Sequence, residues 1–304
     1  MSNGQLHVVT GAFGYTGSYI TRMLLDRGDR VRTLTNHPGD PQRFGGRVQA
    51  APLDFAEPSS LVRNLEGASA LFNTYWIRFP YRGVDFDRAV NNLETLFGAA
   101  HSAQVPRIVH ISITGASAAL QLPYFRGKGL AEQALTTSGL SYAILRPALI
   151  YGPEDILLNN IAWLLRRFPL FAIPGSGQYR VQPIFVEDLA RLAIEASDSR
   201  DNYIIDAVGQ ETYTFNNLVE SLKRAVGSRA IIVHVTPFLM RLLAAIASRI
   251  TGDVTLTEDE IAGLMADLLV SREPPTAPNR FSVWLHQNAA EIGRRYASET
   301  ARRR

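Results

Sequence analysis

Leu6-His7-Val8-Val9-Thr10-Gly11-Ala12-Phe13-Gly14-Tyr15-Thr16-Gly17-Ser18-Tyr19-Ile20-Thr21-Arg22-Met23-Leu24-Leu25 decides the fold of this chain. Residues 6–10 read as a short apolar strand. The strand runs straight into three glycines at intervals of three, and residues 18–25 read as a helix. Gly11 permits a tight turn, Gly14 lets the backbone approach a bulky anion, and Gly17 lets the helix sit close to the strand. The helix then points its first amides outward as an anion site. A glycine triplet alone is a weak signal, because turns are rich in glycine. Between a strand and an amphipathic helix it suits the pyrophosphate of a dinucleotide, with Phe13, Tyr15 and Thr16 as further contacts in the turn.

A second strand over 30–35 completes one βαβ unit. Its end bears on which dinucleotide is held, because an NAD site usually places an acid there for the ribose 2′-hydroxyl. Here the place is taken by Thr35, Asn36 and His37. No carboxylate repels a 2′-phosphate, and Arg32 and Arg43 are nearby cations, so NADP is preferred over NAD.

The alternation continues to about residue 150. Strands are expected at 48–51, 70–73, 107–111 and 142–146, and helices at 86–103 and 124–137. That pattern predicts an α/β fold: a Rossmann-type doubly wound parallel sheet with ligands beyond the carboxyl ends of its strands. Past Pro147 the pattern loosens. Helices are expected at 159–167, 187–196, from Thr214 to 226, from the Thr257-Glu258-Asp259-Glu260 capping box onward, and at 282–296. Pro169, Pro174, Gly175 and Gly177 mark a loop, and 181–185 and 203–206 read as strands. The organisation expected is a dinucleotide-binding domain over 1–150, with 179–209 returning to it. Residues 151–178 and 210–304 form a smaller, mainly helical C-terminal substrate lobe that covers the cofactor cleft.

Composition narrows the function. The chain has 304 residues, a formal net charge of +3 and no cysteine. Disulfides and thiolate metal sites are therefore excluded, and the six histidines show no ligand spacing, so no metal is expected. Basic residues do not interleave with aromatics in a stripe, which argues against nucleic acid. The first apolar run is a strand feeding the glycine turn, so a cytoplasmic location is expected. No run reaches a membrane span; Phe238–Ile250 comes closest but is interrupted by Arg241 and Arg249, and reads as a packing helix or one able to touch a bilayer surface.

Tyr124-Phe125-Arg126-Gly127-Lys128 carries the chemistry. Residues four apart share a helix face. The chain has two lysines, Lys128 and Lys223, and 11 tyrosines, so about 0.07 such Tyr-x3-Lys pairs would arise by chance. An ammonium beside a tyrosine favours the phenolate. Tyr124 could then exchange a proton with a small-molecule substrate while hydride moves at a nicotinamide, with Lys128 also bonding the ribose. The alternative is a surface helix carrying a packed tyrosine and a snorkelling lysine.

In this order, several motifs resemble the short-chain dehydrogenase/reductase superfamily. They are the glycine turn, Asp54 in Pro-Leu-Asp-Phe, Val105–Ser112, Tyr124-x3-Lys128, Leu145-Arg146-Pro147 with Tyr151-Gly152-Pro153, and Pro183–Asp188. The chain is similar to the NAD-dependent epimerase/dehydratase family. Within it, the likeness is to the atypical group containing the dehydrogenase-like accessory subunit of mitochondrial complex I. The resemblance implies that Asp54 and Phe55 meet the adenine, that Thr74 lies along the cofactor, and that Pro147 meets the nicotinamide carboxamide. It also implies a homodimer through helices 86–103 and 124–137. One position departs: the catalytic serine or threonine falls near Ile113, between Ser112 and Thr114. Two readings stay open. One is an NAD(P)-dependent oxidoreductase or epimerase/dehydratase with Tyr124 as acid/base and Thr114 or Ser112 orienting the substrate oxygen. Tyr75, Trp76, Arg78, Asn159, Trp163 and Arg180 would then offer the substrate pocket. The other is a non-catalytic NAD(P)H-binding scaffold, a redox-sensing or assembly protein.

Overall fold

The computed structural model describes residues 4–36, 41–81, 83–251, 253 and 257–298. In chain order the elements begin with Leu6–Thr10 (β1), Tyr15–Asp26 (α1), Arg30–Leu34 (β2), Val48–Ala51 (β3), Pro58–Leu65 (α2), Ala70–Asn73 (β4) and Phe86–Ser102 (α3). Next come Ile108–Ile111 (β5), Pro123–Thr136 (α4), Tyr142–Pro147 (β6), Leu149–Tyr151 (β7), Leu157–Arg167 (α5), Leu170–Pro174 (β8), Arg180–Val181 (β9) and Pro183–Phe185 (β10). The last are Val186–Asp198 (α6), Tyr203–Ala207 (β11), Tyr213–Thr214 (β12), Phe215–Ala225 (α7), Ile231–Val235 (β13), Pro237–Thr251 (α8), Glu258–Met265 (α9) and Phe281–Asn288 (α10).

The chain divides into two compact units. The first holds residues 1–147 and 186–206, so Arg180–Phe185 and Ala207–Gly209 fall in the second. Its seven-stranded sheet runs β11-β6-β5-β4-β1-β2-β3, and the ladders from β3 through β6 are all parallel. β4 and β5 are buried at every position, as strands covered on both faces must be. The strand order reverses between β1 and β4, which creates the crevice where doubly wound sheets hold ligands. The core beneath it is aliphatic: Leu61, Leu65, Leu71, Leu93, Leu96 and Ile144 are all fully enclosed.

One buried cation ties residues 186–206 back to this unit. Arg107 donates Nε to the Ala196 carbonyl at 3.0 Å, Nη2 to the Asp201 carbonyl at 2.8 Å and Nη1 to Ser141 Oγ at 2.8 Å. A planar guanidinium can serve three acceptors at fixed angles, and an ammonium cannot. Asp188, near the start of α6, is buried and pairs with Arg191 one turn on, at 3.3 Å.

The second unit is dominated by helices α5, α7, α8, α9 and α10, with three two-stranded sheets among them. Its core gathers Tyr151, Leu165, Ile173, Leu218, Leu222 and Phe281. Thr214 caps α7 by accepting from Asn217 N at 3.1 Å, and Thr257 and Glu260 close a reciprocal capping box on α9. Two expectations are corrected here. Residues 170–174, expected as a loop between prolines, form β8, which pairs in parallel with β13 some sixty residues later. The final helix, expected over 282–296, stops at Asn288. Gly293 then takes φ +71°, and a side chain there would lie 2.5 Å from the backbone of Ala162, so the chain turns to seat itself on α5.

Replacing Arg107 with Lys is expected to lower stability by about 2–3 kcal/mol, because buried carbonyls lose their donors. Urea unfolding followed by circular dichroism checks this, and a midpoint equal to that of the parent protein contradicts it.

Candidate functional site

The site is built where β1 and β4 end side by side. Gly11 takes φ +71°. Its amide donates to the Leu34 carbonyl at 3.0 Å, and its carbonyl accepts from Gly14 N at 2.8 Å. A Cβ on Gly17 would lie 2.2 Å from the Gly11 carbonyl oxygen, inside any permitted contact. A Cβ on Gly14 would lie 3.1 Å from the same atom. Helix α1 therefore starts in direct contact with the turn. Its N-cap is Gly14, with no side-chain cap and no acid in the first turn, so positive helix-end potential is left for an anionic ligand. The dinucleotide's pyrophosphate fits this cradle of missing side chains and uncapped amides. Phe13, Tyr15 and Thr16 lie in and just after the turn.

Thr10 locks the two strand ends together. Its Oγ1 accepts from Thr74 N at 2.8 Å and Tyr75 N at 3.0 Å, and Thr74 Oγ1 donates back to the Thr10 carbonyl at 2.5 Å. The same Thr10 hydroxyl donates to Asn73 Oδ1 at 3.1 Å. Asn73 Nδ2 lies 2.8 Å from His110 Nδ1. Because Asn73 Oδ1 is already accepting, its amide faces the ring and His110 Nδ1 accepts. Burial, with Lys128 nearby, holds the His110 imidazole well below its ordinary range and hence neutral.

Beyond the end of β2, Asn36 Nδ2 donates to the Leu53 carbonyl at 2.9 Å. Thr35 N donates to the Ala51 carbonyl at 2.9 Å. Asp54 accepts from Ala56 N at 2.9 Å, two residues on, and so shapes its own loop. Phe55 packs on Tyr75 with ring centroids 5.0 Å apart. Arg43 donates to the Phe13 carbonyl at 2.5 Å. Arg32, by contrast, is taken up by Gln49 and the Asn64 carbonyl. His37 lies outside the described residues.

Helix α4 brings Tyr124 and Lys128 to one place, and Trp76 is what they share. Tyr124 meets the Trp76 ring edge-on at 6.1 Å, and Lys128 Nζ lies 4.8 Å over the same ring. Gly127 makes room, since a Cβ there would sit 3.0 Å from the indole. Lys128 is buried and donates to the Ile111 carbonyl at 2.8 Å. Burial pushes its ammonium down to about 7, with Glu132 opposing. Tyr124 itself is half-buried, walled by Phe86 and Phe125.

The expected hydroxyls are placed differently from a free donor. Ser112 Oγ donates to Glu132 Oε1 at 2.5 Å, and Glu132 also takes Arg146 Nε at 2.9 Å and its Nη2. Thr114 is fully enclosed, its backbone N–H on the Pro147 carbonyl at 3.0 Å. Ile113 is the half-buried residue of the segment. Ser112 and Trp76 were expected at the site, but the joining of Ser112 and Arg146 through Glu132, and of Trp76 to Lys128, escapes sequence reading because each links distant segments. Glu132 four residues after Lys128 was the available signal.

The residues offered as a substrate pocket are drawn from both units. Tyr75, Trp76 and Arg78 belong to the first unit and Asn159, Trp163 and Arg180 to the second. Asn159 is buried and donates to Asp155 and the Pro153 carbonyl, Trp163 packs on Phe168 and Tyr296, and Arg180 pairs with Asp267. Among the described residues no group of acidic, histidine or cysteine side chains is arranged to hold a metal, and no helix is long and apolar enough to cross a membrane.

Residues 11–156 match the NAD(P)H-binding family. The chain is 23% identical over 283 residues to the NADH-ubiquinone oxidoreductase 40 kDa subunit of Neurospora crassa, covering 90% of this chain and 74% of that one. It is 24% identical over 229 residues to NADH dehydrogenase [ubiquinone] 1 alpha subcomplex subunit 9 of Arabidopsis thaliana, covering 72% of this chain and 57% of the relative's length. An NADPH-dependent quinone oxidoreductase of Escherichia coli, solved with NADPH, shares the fold with a TM-score of 0.74 at 17% identity, covering 94% and 99% of the two chains. The chain thus carries an NAD(P)H-binding domain and is a homologue of these complex I subunits. Its Rossmann-type fold is the one it shares with that quinone oxidoreductase.

Lys128 has a clear pH signature. Its folded value is depressed from 10.5 to about 7, so between those limits the unfolded chain binds more protons than the folded one. The cost of burying the charge is fully present below about pH 7 and is relieved as pH rises towards 10.5. Lys128→Met is therefore expected to gain thermal stability over the parent protein at pH 6 and to lose that advantage by about pH 10. Paired melting curves across that range check it; a gap independent of pH contradicts the burial account.

Proposed function

We propose that this NAD(P)H-binding chain of the short-chain dehydrogenase/reductase type is an oxidoreductase acting on a small carbonyl or hydroxyl compound, with Tyr124 as its acid/base. One observation carries the reading. Tyr124 stands at the edge of an aromatic wall, and the only lysine of its helix is buried beside the same indole instead of snorkelling to water. Burying an ammonium is costly, and a surface role would not require it. When bound, the nicotinamide supplies or takes the hydride. The protein's part would be to hold the substrate oxygen at the Tyr124 hydroxyl, which passes the proton, with Lys128, on the same indole, favouring the phenolate and meeting the ribose hydroxyls. Thr74, Pro147, Phe55 and Asp54 would line the rest of the cofactor.

Trp76 and Phe86 around Tyr124 favour an apolar carbonyl compound over a sugar nucleotide. NADP is the preferred cofactor: no acid follows β2, and Arg43 is fastened to the glycine turn beside Phe13, where a 2′-phosphate would gain a cation. A second reading, a non-catalytic NAD(P)H-binding scaffold, is favoured by the commitment of Ser112 to Glu132, which removes one donor from the substrate oxygen.

Turnover followed by nicotinamide absorbance over a panel of quinones, ketones and aldehydes separates the two. Tyr124→Phe is expected to lower kcat at least about a hundredfold while cofactor affinity stays within about twofold. Undiminished turnover in that variant overturns the assignment. Tight NADPH binding with no turnover of any panel member supports the scaffold.

A further inference from the structure

The sheet formed by β8 and β13 lies in the second unit and has two unlike faces. Side chains alternate along each strand, and the parallel register sets Leu170 beside Ile231. Phe171 and Ile173 point into the core. The other face carries Phe168, Leu170 and Ile231, which are 47%, 56% and 63% exposed. Helix α8 follows β13 directly and rests against β8. It adds Phe238 and Leu242, 72% and 51% exposed. Scattered exposed leucines need no account, but paired and neighbouring ones on a sheet face and the helix packed on it mark a surface that meets something.

Arginines stand among these side chains. Arg166 and Arg167 precede Phe168, Arg229 stands two before Ile231, and Arg241 lies between Phe238 and Leu242. Arg167 stacks on Trp163 at 4.8 Å, and Arg241 sits 5.9 Å over Phe238, so cation and ring are presented together. Acids are paired here too, Glu258, the first of three acids opening α9, with Arg241 at 3.2 Å and Glu291 with Arg294 at 3.6 Å. Arg166 is committed inward, donating to the Ile292, Val226 and Ala289 carbonyls, so Arg167, Arg229 and Arg241 are the cations left to this surface.

We propose that this face, the outer side of the β8–β13 sheet with helix α8, docks onto an anionic lipid surface. Phe, Leu and Ile offer no directional partner, and the hydrocarbon edge of a bilayer asks for none. Arginine stems snorkel, burying their methylenes among the apolar side chains while the guanidinium meets headgroup phosphate. A second copy of the chain fits poorly, since a twofold contact would set arginine rim against arginine rim.

The test is flotation of the full-length protein with vesicles of phosphatidylcholine alone or mixed equally with phosphatidylglycerol. The protein is expected to float with the mixed vesicles, to stay behind with the neutral ones, and to be released by salt. Leu170→Ser combined with Ile231→Ser is expected to weaken partitioning at least about tenfold, and Arg229→Gln about fivefold. All three positions are exposed, and unchanged melting curves would show that the variants fold. Failure of the parent protein to float with mixed vesicles overturns the proposal, as does equal flotation with neutral ones. So does self-association, or binding to an acidic protein, that the serine variants abolish while lipid binding is absent.

Discussion

The contact on which the first unit depends is that between the Gly11 carbonyl and the start of helix α1. The Gly14 amide reaches that oxygen at 2.8 Å, and the missing side chain of Gly17 would occupy nearly the same space. No other residue at 17 allows the helix to begin there. From that one approach the rest follows in sequence. The first helical amides remain uncapped at the sheet's crossover point, Thr10 is drawn against Thr74 and Tyr75, and β1 and β4 end level with each other. The geometry that admits a pyrophosphate is thus the geometry that closes the βαβ unit, and fold and ligand site share one set of atoms.

Behind the turn lies an unusual quantity of buried polarity. His110, Ser112, Lys128 and Glu132 are all enclosed, and each has a specific partner. Buried charges rarely add net stability, because desolvation offsets their attraction. Their effect here is positional. Glu132 gathers a strand-end serine and the Arg146 fork, fixing the carboxyl ends of β5 and β6 against α4. Lys128 is held in place by a carbonyl and an indole.

How much of this is legible in the sequence depends on distance along the chain. The glycine turn and its helix are local, as is the alternation of strand and helix to residue 147, and the sheet follows from them. Tyr124 and Lys128 are visible because four residues make one helical turn, and Thr257 with Glu260 because a capping box spans three. The β8–β13 ladder is not visible: its strands are short, flanked by prolines, and paired only through the fold. Ser112 and Arg146 stand in recognisable motifs, but Glu132, which joins them, looks ordinary alone. The early end of α10 had a signal in Gly293, whose contact with α5 is a tertiary fact. Ile113, flagged by position, acquires meaning only once Ser112 is seen turned towards Glu132.

Calorimetric titration of the nucleotide-free protein with NADPH and then NADH, alongside the Gly17→Val variant, tests the central claim most directly. The account predicts micromolar or tighter binding of at least one dinucleotide by the parent protein, tighter for NADPH, and loss of that binding in a variant that still melts cooperatively. Heat of binding for neither dinucleotide, or binding that survives a side chain at position 17, would contradict it.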